Sequence, residues 1–268
     1  MTRASCFCLA CLFLACWSHA VRAGEGDYER RVVTRLEDNQ VEGETLRLKA
    51  GGQEFLALLV EASGGAGEKA AVILHSMGTH ADWPEIISPL RLTLPRRGWT
   101  TLSLQLPVFA PGTPLSEYGG TLAEAGARAR SGVDYLLDRG FSDIVVIGYS
   151  FGAAAAVTCL IKNRAGVSAL VGISMQPRPF LSPVFDLMDH LGRLMLPVLD
   201  IYGSRDYAEV SRSADDRRLA GKRNGNRFYE QIVINGADHY YTDKEPELIN
   251  EITSWLDKLS VITESGSE

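Results

Sequence analysis

Ile144-Val145-Val146-Ile147-Gly148-Tyr149-Ser150-Phe151-Gly152-Ala153-Ala154-Ala155-Ala156 is the stretch on which the reading of this chain turns. Four β-branched residues in a row predict a strand buried on both faces, and the alanine run after them predicts a helix. Between the two stands G-x-S-x-G. A backbone that turns from strand to helix within so few residues needs positions without bulk on either side, and Gly148 and Gly152 supply them. Ser150 is then left with its hydroxyl projecting beyond the carboxyl end of the strand. The helix starting behind it directs free N–H groups and the positive end of its dipole at any negative charge that develops there. A glycine turn that merely packs a helix onto a strand would show the same five residues, so the surroundings decide.

Working outward, short apolar β-type runs alternate with longer helical patterns. The runs are Ala70 to Leu74, Thr100 to Leu106, Ile144 to Ile147, Val167 to Ile173, Val198 to Tyr202 and Phe228 to Ile234. Between Thr121 and Arg139, Leu122, Ala125, Ala129, Val133, Leu136 and Leu137 recur at helical spacing; Leu248, Ile249, Ile252, Trp255, Leu256 and Leu259 do so between Glu245 and Leu259. Strands buried on both sides and separated by helices predict an α/β fold: a mostly parallel sheet with helices on both faces. Leu46 and Leu48, the turn Ala50-Gly51-Gly52 and the run Phe55 to Val60 predict an antiparallel hairpin at its amino-terminal edge.

A serine nucleophile needs a base, and the base needs an orienting acid. After a G-x-S-x-G elbow these follow in the chain order Ser, Asp, His, on loops leaving later strands. Asp206 stands just past the strand that begins at Val198. Asp200 is the rival acid, but it lies inside that strand and is less well directed. Asn235-Gly236-Ala237-Asp238-His239 leaves the last strand and offers His239 as the base.

Together these features resemble the α/β-hydrolase superfamily over essentially the whole chain after residue 23. The resemblance rests on Gly148-Tyr149-Ser150-Phe151-Gly152, on the turn Gly203 to Asp206, on the loop Gly236 to His239, and on Leu74-His75-Ser76-Met77-Gly78 after an earlier strand. The segments His75 to Pro84 and Gly98 to Pro107 are similar to an uncharacterised family of exported bacterial α/β-hydrolase-like proteins. The superfamily implies acyl transfer, usually hydrolysis of an ester and otherwise of an amide or thioester, through Ser150, His239 and Asp206 and an acyl-enzyme, with no cofactor. It also implies an oxyanion hole from the N–H groups of Phe151 and Met77. Ser76 stands where the superfamily more often has glycine and is a substitute donor. The closer family implies no substrate. A catalytically silent member that binds an envelope component or a protein partner is the alternative, though a binding module has no need of all three groups.

Ser76, Tyr149, Phe109 and Phe180 are expected to line the substrate site. The interval Ser174 to Leu196 is too short for a large lid; it carries one helical pattern, Val184 to Leu194. Pro177, Pro179, Pro183, Phe180 and Phe185 in it suggest a rigid, partly apolar rim. His75, His80 and Asp82 have no third strong partner at metal-ligand spacing, and His75 is expected to buttress its loop. Arg212, Arg217, Arg218, Lys222, Arg223 and Arg227 are interrupted by acids and read as a solvated helix face.

The chain has 268 residues, 46% of them hydrophobic, and a formal net charge of −6, which leaves no electrostatic footprint for nucleic acid. Four of the five cysteines, Cys6, Cys8, Cys11 and Cys16, fall in an apolar run behind Arg3, followed by Val21-Arg22-Ala23. That is the plan of a secretory signal peptide over residues 1–23, with an uncleaved anchor or lipidation at Cys11 or Cys16 as the other readings. Cleavage would leave Cys159 alone, a periplasmic or secreted location, and no stable membrane insertion. The expected organisation is therefore a signal peptide at 1–23, an exposed lead-in at 24–40, one α/β-hydrolase domain at 41–260 and a tail at 261–268. The substrate is expected to be a small-molecule ester or an acyl group displayed on the envelope.

Overall fold

A computed structural model describes residues 17–64, 67–179, 181 and 185–265. In chain order the elements are α1 (Trp17–Asp38), β1 (Glu44–Ala50), β2 (Gln53–Val60), β3 (Lys69–Leu74), α2 (Ile87–Thr93), β4 (Thr100–Leu104), α3 (Leu122–Asp138), β5 (Asp143–Tyr149), α4 (Phe151–Lys162), β6 (Val167–Ile173), α5 (Leu187–Arg193), β7 (Val198–Gly203), α6 (Ala208–Arg212), α7 (Ala214–Lys222), β8 (Tyr229–Ile234) and α8 (Glu245–Ser265). They build an eight-stranded sheet in the order β1-β2-β4-β3-β5-β6-β7-β8. The β1–β2 hairpin is antiparallel and joins β4 antiparallel; the remaining pairs are parallel.

Because the parallel strands carry apolar side chains in both directions, each face needs its own cover. On one side Val72, Leu74, Ile144 and Val146 pack with α3, α4 and α5; on the other Ile73, Val145, Ile147, Val171 and Ile201 pack with α2 and α8. The stripe predicted on α8 is real: Leu248, Ile252 and Leu256 are fully buried, and each such side chain contributes about 1.5–3 kcal/mol relative to exposure. Among the described residues no helix is long and apolar enough to cross a membrane.

Several sequence expectations need correction. The segment 24–40 is not an exposed lead-in: α1 runs through it, and Val32, Val33 and Leu36 are buried against Leu56, Leu58 and Val108. Glu29 of α1 pairs with the buried Arg128 at 2.6 Å, and Arg128 also donates to the Gln105 carbonyl at 2.8 Å, so this helix is tied to the loop leaving β4. The tail beginning at 261 is helical to Ser265, as a continuation of α8. The strand predicted to reach Leu106 ends at Leu104, because Gln105 and Leu106 turn toward His75 instead. Arg217 is not on a solvated face. It and Asp200 are both wholly buried, joined at 2.8 and 3.2 Å, while the neighbouring Arg212, Arg218, Lys222 and Arg223 are exposed.

Candidate active site

The turn from β5 into α4 places Ser150 at the carboxyl end of the sheet with φ 55° and ψ −105°, a conformation L-residues rarely adopt. The two flanking glycines are required sterically. A Cβ at Gly152 would lie 2.2 Å from the Leu74 carbonyl oxygen, and one at Gly148 would lie 2.5 Å from the Gly152 carbonyl oxygen. The elbow is thus pressed against the end of β3, which brings the His75 to Gly78 loop beside Ser150.

The expected base and acid converge on it. Ser150 Oγ lies 3.2 Å from His239 Nε2, and His239 Nδ1 lies 2.7 Å from Asp206 Oδ1. With Nδ1–H donating to the carboxylate, Nε2 is free to accept the serine proton. Asp206 is held in turn: the Tyr207 N–H donates to Oδ1 at 2.7 Å and Ser174 Oγ to Oδ2 at 2.5 Å. Tyr149 donates its hydroxyl to the His239 carbonyl at 3.0 Å. The imidazole stacks on the Tyr207 ring at 4.1 Å and 21°, and meets Tyr149 on another side at 5.4 Å. An imidazole fixed by an acid below and aromatic faces beside it can take a proton from Ser150 without reorganising. Asp200 is occupied elsewhere, by Arg217, the Tyr229 hydroxyl and the Gln231 amide, as expected for the acid inside the strand.

Phe151 is the first residue of α4, so its N–H has no helical partner. The Met77 N–H likewise makes no hydrogen bond among the described residues. Next to it, Gly78 N–H and Phe109 N–H both donate to the Tyr118 hydroxyl, at 3.0 and 3.2 Å, which fixes the loop. His75 buttresses that loop. Its ring is fully buried, with Nδ1 2.7 Å from the Ser76 carbonyl and Nε2 accepting from the Leu106 N–H at 2.9 Å, which sets the tautomer.

Burial, with smaller contributions from His80 and Arg128, pushes the His75 pKa down to about 3 from an ordinary 6.5. Between those values the unfolded chain binds a proton that the folded chain refuses, so stability falls as pH drops below about 6.5, by up to ~1.4 kcal/mol per pH unit. Urea midpoints measured from pH 7 to 4 are expected to fall more steeply for the wild type than for His75→Gln. Parallel slopes would mean that His75 is not a neutral ring in the fold.

A cleft of about 500 Å³ opens over Ser150, lined by Ser76, Met77, Tyr149, Pro177, Arg178, Tyr207 and Tyr240 among others. Two of the four expected lining residues, Ser76 and Tyr149, are there. Phe109 is not: it is buried, meets Tyr118 edge-on at 4.6 Å, and neither ring lines the cleft. Phe180, like Pro183, lies outside the described residues. Pro177 and Pro179 form the rim, whereas Phe185 turns into the core, 5% exposed.

Sequence reading passed over Arg178, whose Nη2 donates to Ser150 Oγ at 2.6 Å. Its place between Pro177 and Pro179 was the available signal. It also passed over Tyr207, although that residue directly follows the proposed acid.

Residues 21–129 and 121–258 match the model of a family described as a protein of unknown function, DUF3530. The chain belongs to the DUF3530 family. Among solved structures it is similar to a lidless α/β serine hydrolase from Xanthomonas campestris, at 13% identity and TM-score 0.63, over 81% of this chain and 95% of that one. An esterase from Pyrococcus furiosus gives 16% identity and TM-score 0.67, over 83% and 95%. A protein of unknown function from Agrobacterium tumefaciens, described as a putative α/β hydrolase, gives 21% and 0.60, over 80% and 95%. No curated protein matches the chain in sequence. This DUF3530 member therefore has the α/β-hydrolase fold without a large lid, as its strand order and short interval after β6 require.

Proposed function

We propose that this DUF3530 protein is an exported serine hydrolase that cleaves an ester through an acyl-enzyme. The observation that carries the reading is the unbroken line from Asp206 through His239 to a strained Ser150 Oγ. In this mechanism Ser150 attacks the carbonyl carbon while His239 Nε2 takes its proton. The tetrahedral oxyanion is met by the Phe151 and Met77 N–H groups, and His239 then protonates the departing alcohol. Water repeats the sequence on the acyl-enzyme. Asp206 keeps the imidazole in the tautomer that each step uses.

The open cleft supports short acyl groups, or an acyl group displayed on a larger envelope molecule, because few of the described residues form walls that could receive a long chain. Export rests on the amino-terminal plan; residues 1–16 lie outside the described residues, and the expected cleavage point at Ala23 falls within α1.

The test is a nitrophenyl ester series on protein recovered from the envelope fraction, its amino terminus read by mass spectrometry. A terminus near Gly24, and hydrolysis that is greatest for the shortest acyl chains and absent in Ser150→Ala, are expected. Each buried methylene contributes about 0.8 kcal/mol where walls exist, so activity rising steadily with chain length would contradict the open cleft.

A further inference from the structure

Arg178 is an unusual neighbour for a nucleophile. It is 6% exposed, and its guanidinium places Nη2 2.6 Å from Ser150 Oγ and Nη1 3.9 Å from Met77 Sδ. The backbone beneath it is built rather than loose. Prolines on both sides restrict it, the Arg178 carbonyl accepts from the Leu181 N–H at 3.1 Å, and Arg178 bridges Phe185 as in an antiparallel pair, with Leu181 and Phe185 both buried. Burial holds its pKa down to about 10, the Tyr149 and Tyr207 phenols being the nearby groups that oppose this.

Because this guanidinium lines the cleft and reaches the nucleophile from a place largely withdrawn from water, an anionic group that enters beside Ser150 meets a cation that bulk solvent screens little. We propose that Arg178 binds a carboxylate on the acyl portion of the substrate, so that the protein prefers half-esters of short dicarboxylic acids over neutral esters. This rests on the hydrolase reading above.

The planar fork of arginine matches the two oxygens of a carboxylate. Its contacts with Ser150 and Met77 also say which half of the ester carries the charge. The leaving group departs toward His239, which is flanked by Tyr207 and Tyr240. Arg178 approaches Oγ together with Met77, the residue whose N–H meets the oxyanion, so the group it grips stays on the acyl side. With Nη2 2.6 Å from Oγ, a carbonyl carbon about 3 Å from Oγ and a carboxylate oxygen about 2.8 Å from the guanidinium lie no more than about 8 Å apart, which limits the spacer to a few methylene groups. On binding, the carboxylate takes Nη2 from Ser150 Oγ and leaves the hydroxyl bonded to His239 alone, ready to attack. Glu209 also lines the cleft, but it is exposed at the rim.

The experiment compares methanol release from monomethyl glutarate and from dimethyl glutarate by the wild type, Arg178→Gln and Arg178→Lys. Acetoxyacetate, which carries its carboxylate on the leaving group, is a further substrate. A charge-assisted hydrogen bond contributes about 1.5–3 kcal/mol, so Arg178→Gln is expected to lower kcat/KM roughly 10–100-fold on the half-ester and no more than about fivefold on the diester. Arg178→Lys, which keeps the charge without the fork, should fall between. Equal losses on both glutarate esters would overturn the proposal and assign Arg178 to the nucleophile. A preference for acetoxyacetate would overturn the acyl-side placement.

Calorimetric titration of Ser150→Ala with glutarate separates this idea from the hydrolase reading. Binding that vanishes in Ser150→Ala/Arg178→Gln supports the anion site even if no ester is cleaved. Cleavage of neutral esters without glutarate binding leaves the hydrolase and removes the anion site.

Discussion

Asp206→Asn is expected to lower kcat about 10⁴-fold while leaving the unfolding transition close to that of the wild type. The carboxylate accepts three hydrogen bonds, from His239 Nδ1, the Tyr207 N–H and Ser174 Oγ. An asparagine fills the same space, but it can turn an amide N–H toward Nδ1. The imidazole then keeps its proton on Nε2, where it faces Ser150 and cannot accept. Steady-state kinetics on a short ester, with a denaturation curve beside them, read both halves of this expectation. Full activity in Asp206→Asn would remove Asp206 from the mechanism.

The second large effect is on stability and leaves the chemistry alone. Arg217 donates to both oxygens of Asp200, and its Nη1 also reaches the Val210 carbonyl and Ser213 Oγ, both at 2.7 Å. Both side chains are wholly buried. Arg217→Leu would leave the Asp200 carboxylate inside the protein with only the neutral Tyr229 and Gln231 donors, a loss of about 3–5 kcal/mol. For a domain of this size that lowers the melting temperature by roughly 10 °C, with kcat of the folded fraction unchanged. Arg217→Leu/Asp200→Leu should recover part of the loss, since the uncompensated charge is then gone. A single variant as stable as the wild type would mean that the pair contributes nothing.

The strand-turn-helix around Ser150 was legible because it is local: β-branched residues, two glycines and alanines each prefer the conformation they adopt. The alternation of runs gave the sheet, and the positions of Asp206 and His239 after late strands gave the partners of Ser150. Other features depended on distant contacts. The amino-terminal helix α1 was missed because Tyr28, Val32 and Leu36, four residues apart, form a narrow stripe among charges and bury themselves only against Leu56, Leu58 and Val108 of other segments. Arg217 looked like its exposed neighbours, and only the fold brings Asp200 under it. Phe109 packs edge-on against Tyr118 behind the cleft, and its position after β4 does not say whether the ring faces the site or the interior. Arg178 lies in a stretch of prolines without periodicity, where no local pattern tells whether a side chain faces solvent or a serine.

The measurement that tests Ser150 as the nucleophile most directly is treatment of the folded protein with a fluorophosphonate, followed by peptide mass spectrometry. The expected result is one adduct per chain, on the peptide carrying Ser150, with none in Ser150→Ala and far slower labelling in Asp206→Asn. A folded wild-type protein that stays unlabelled, or that is labelled at a different residue, would contradict it.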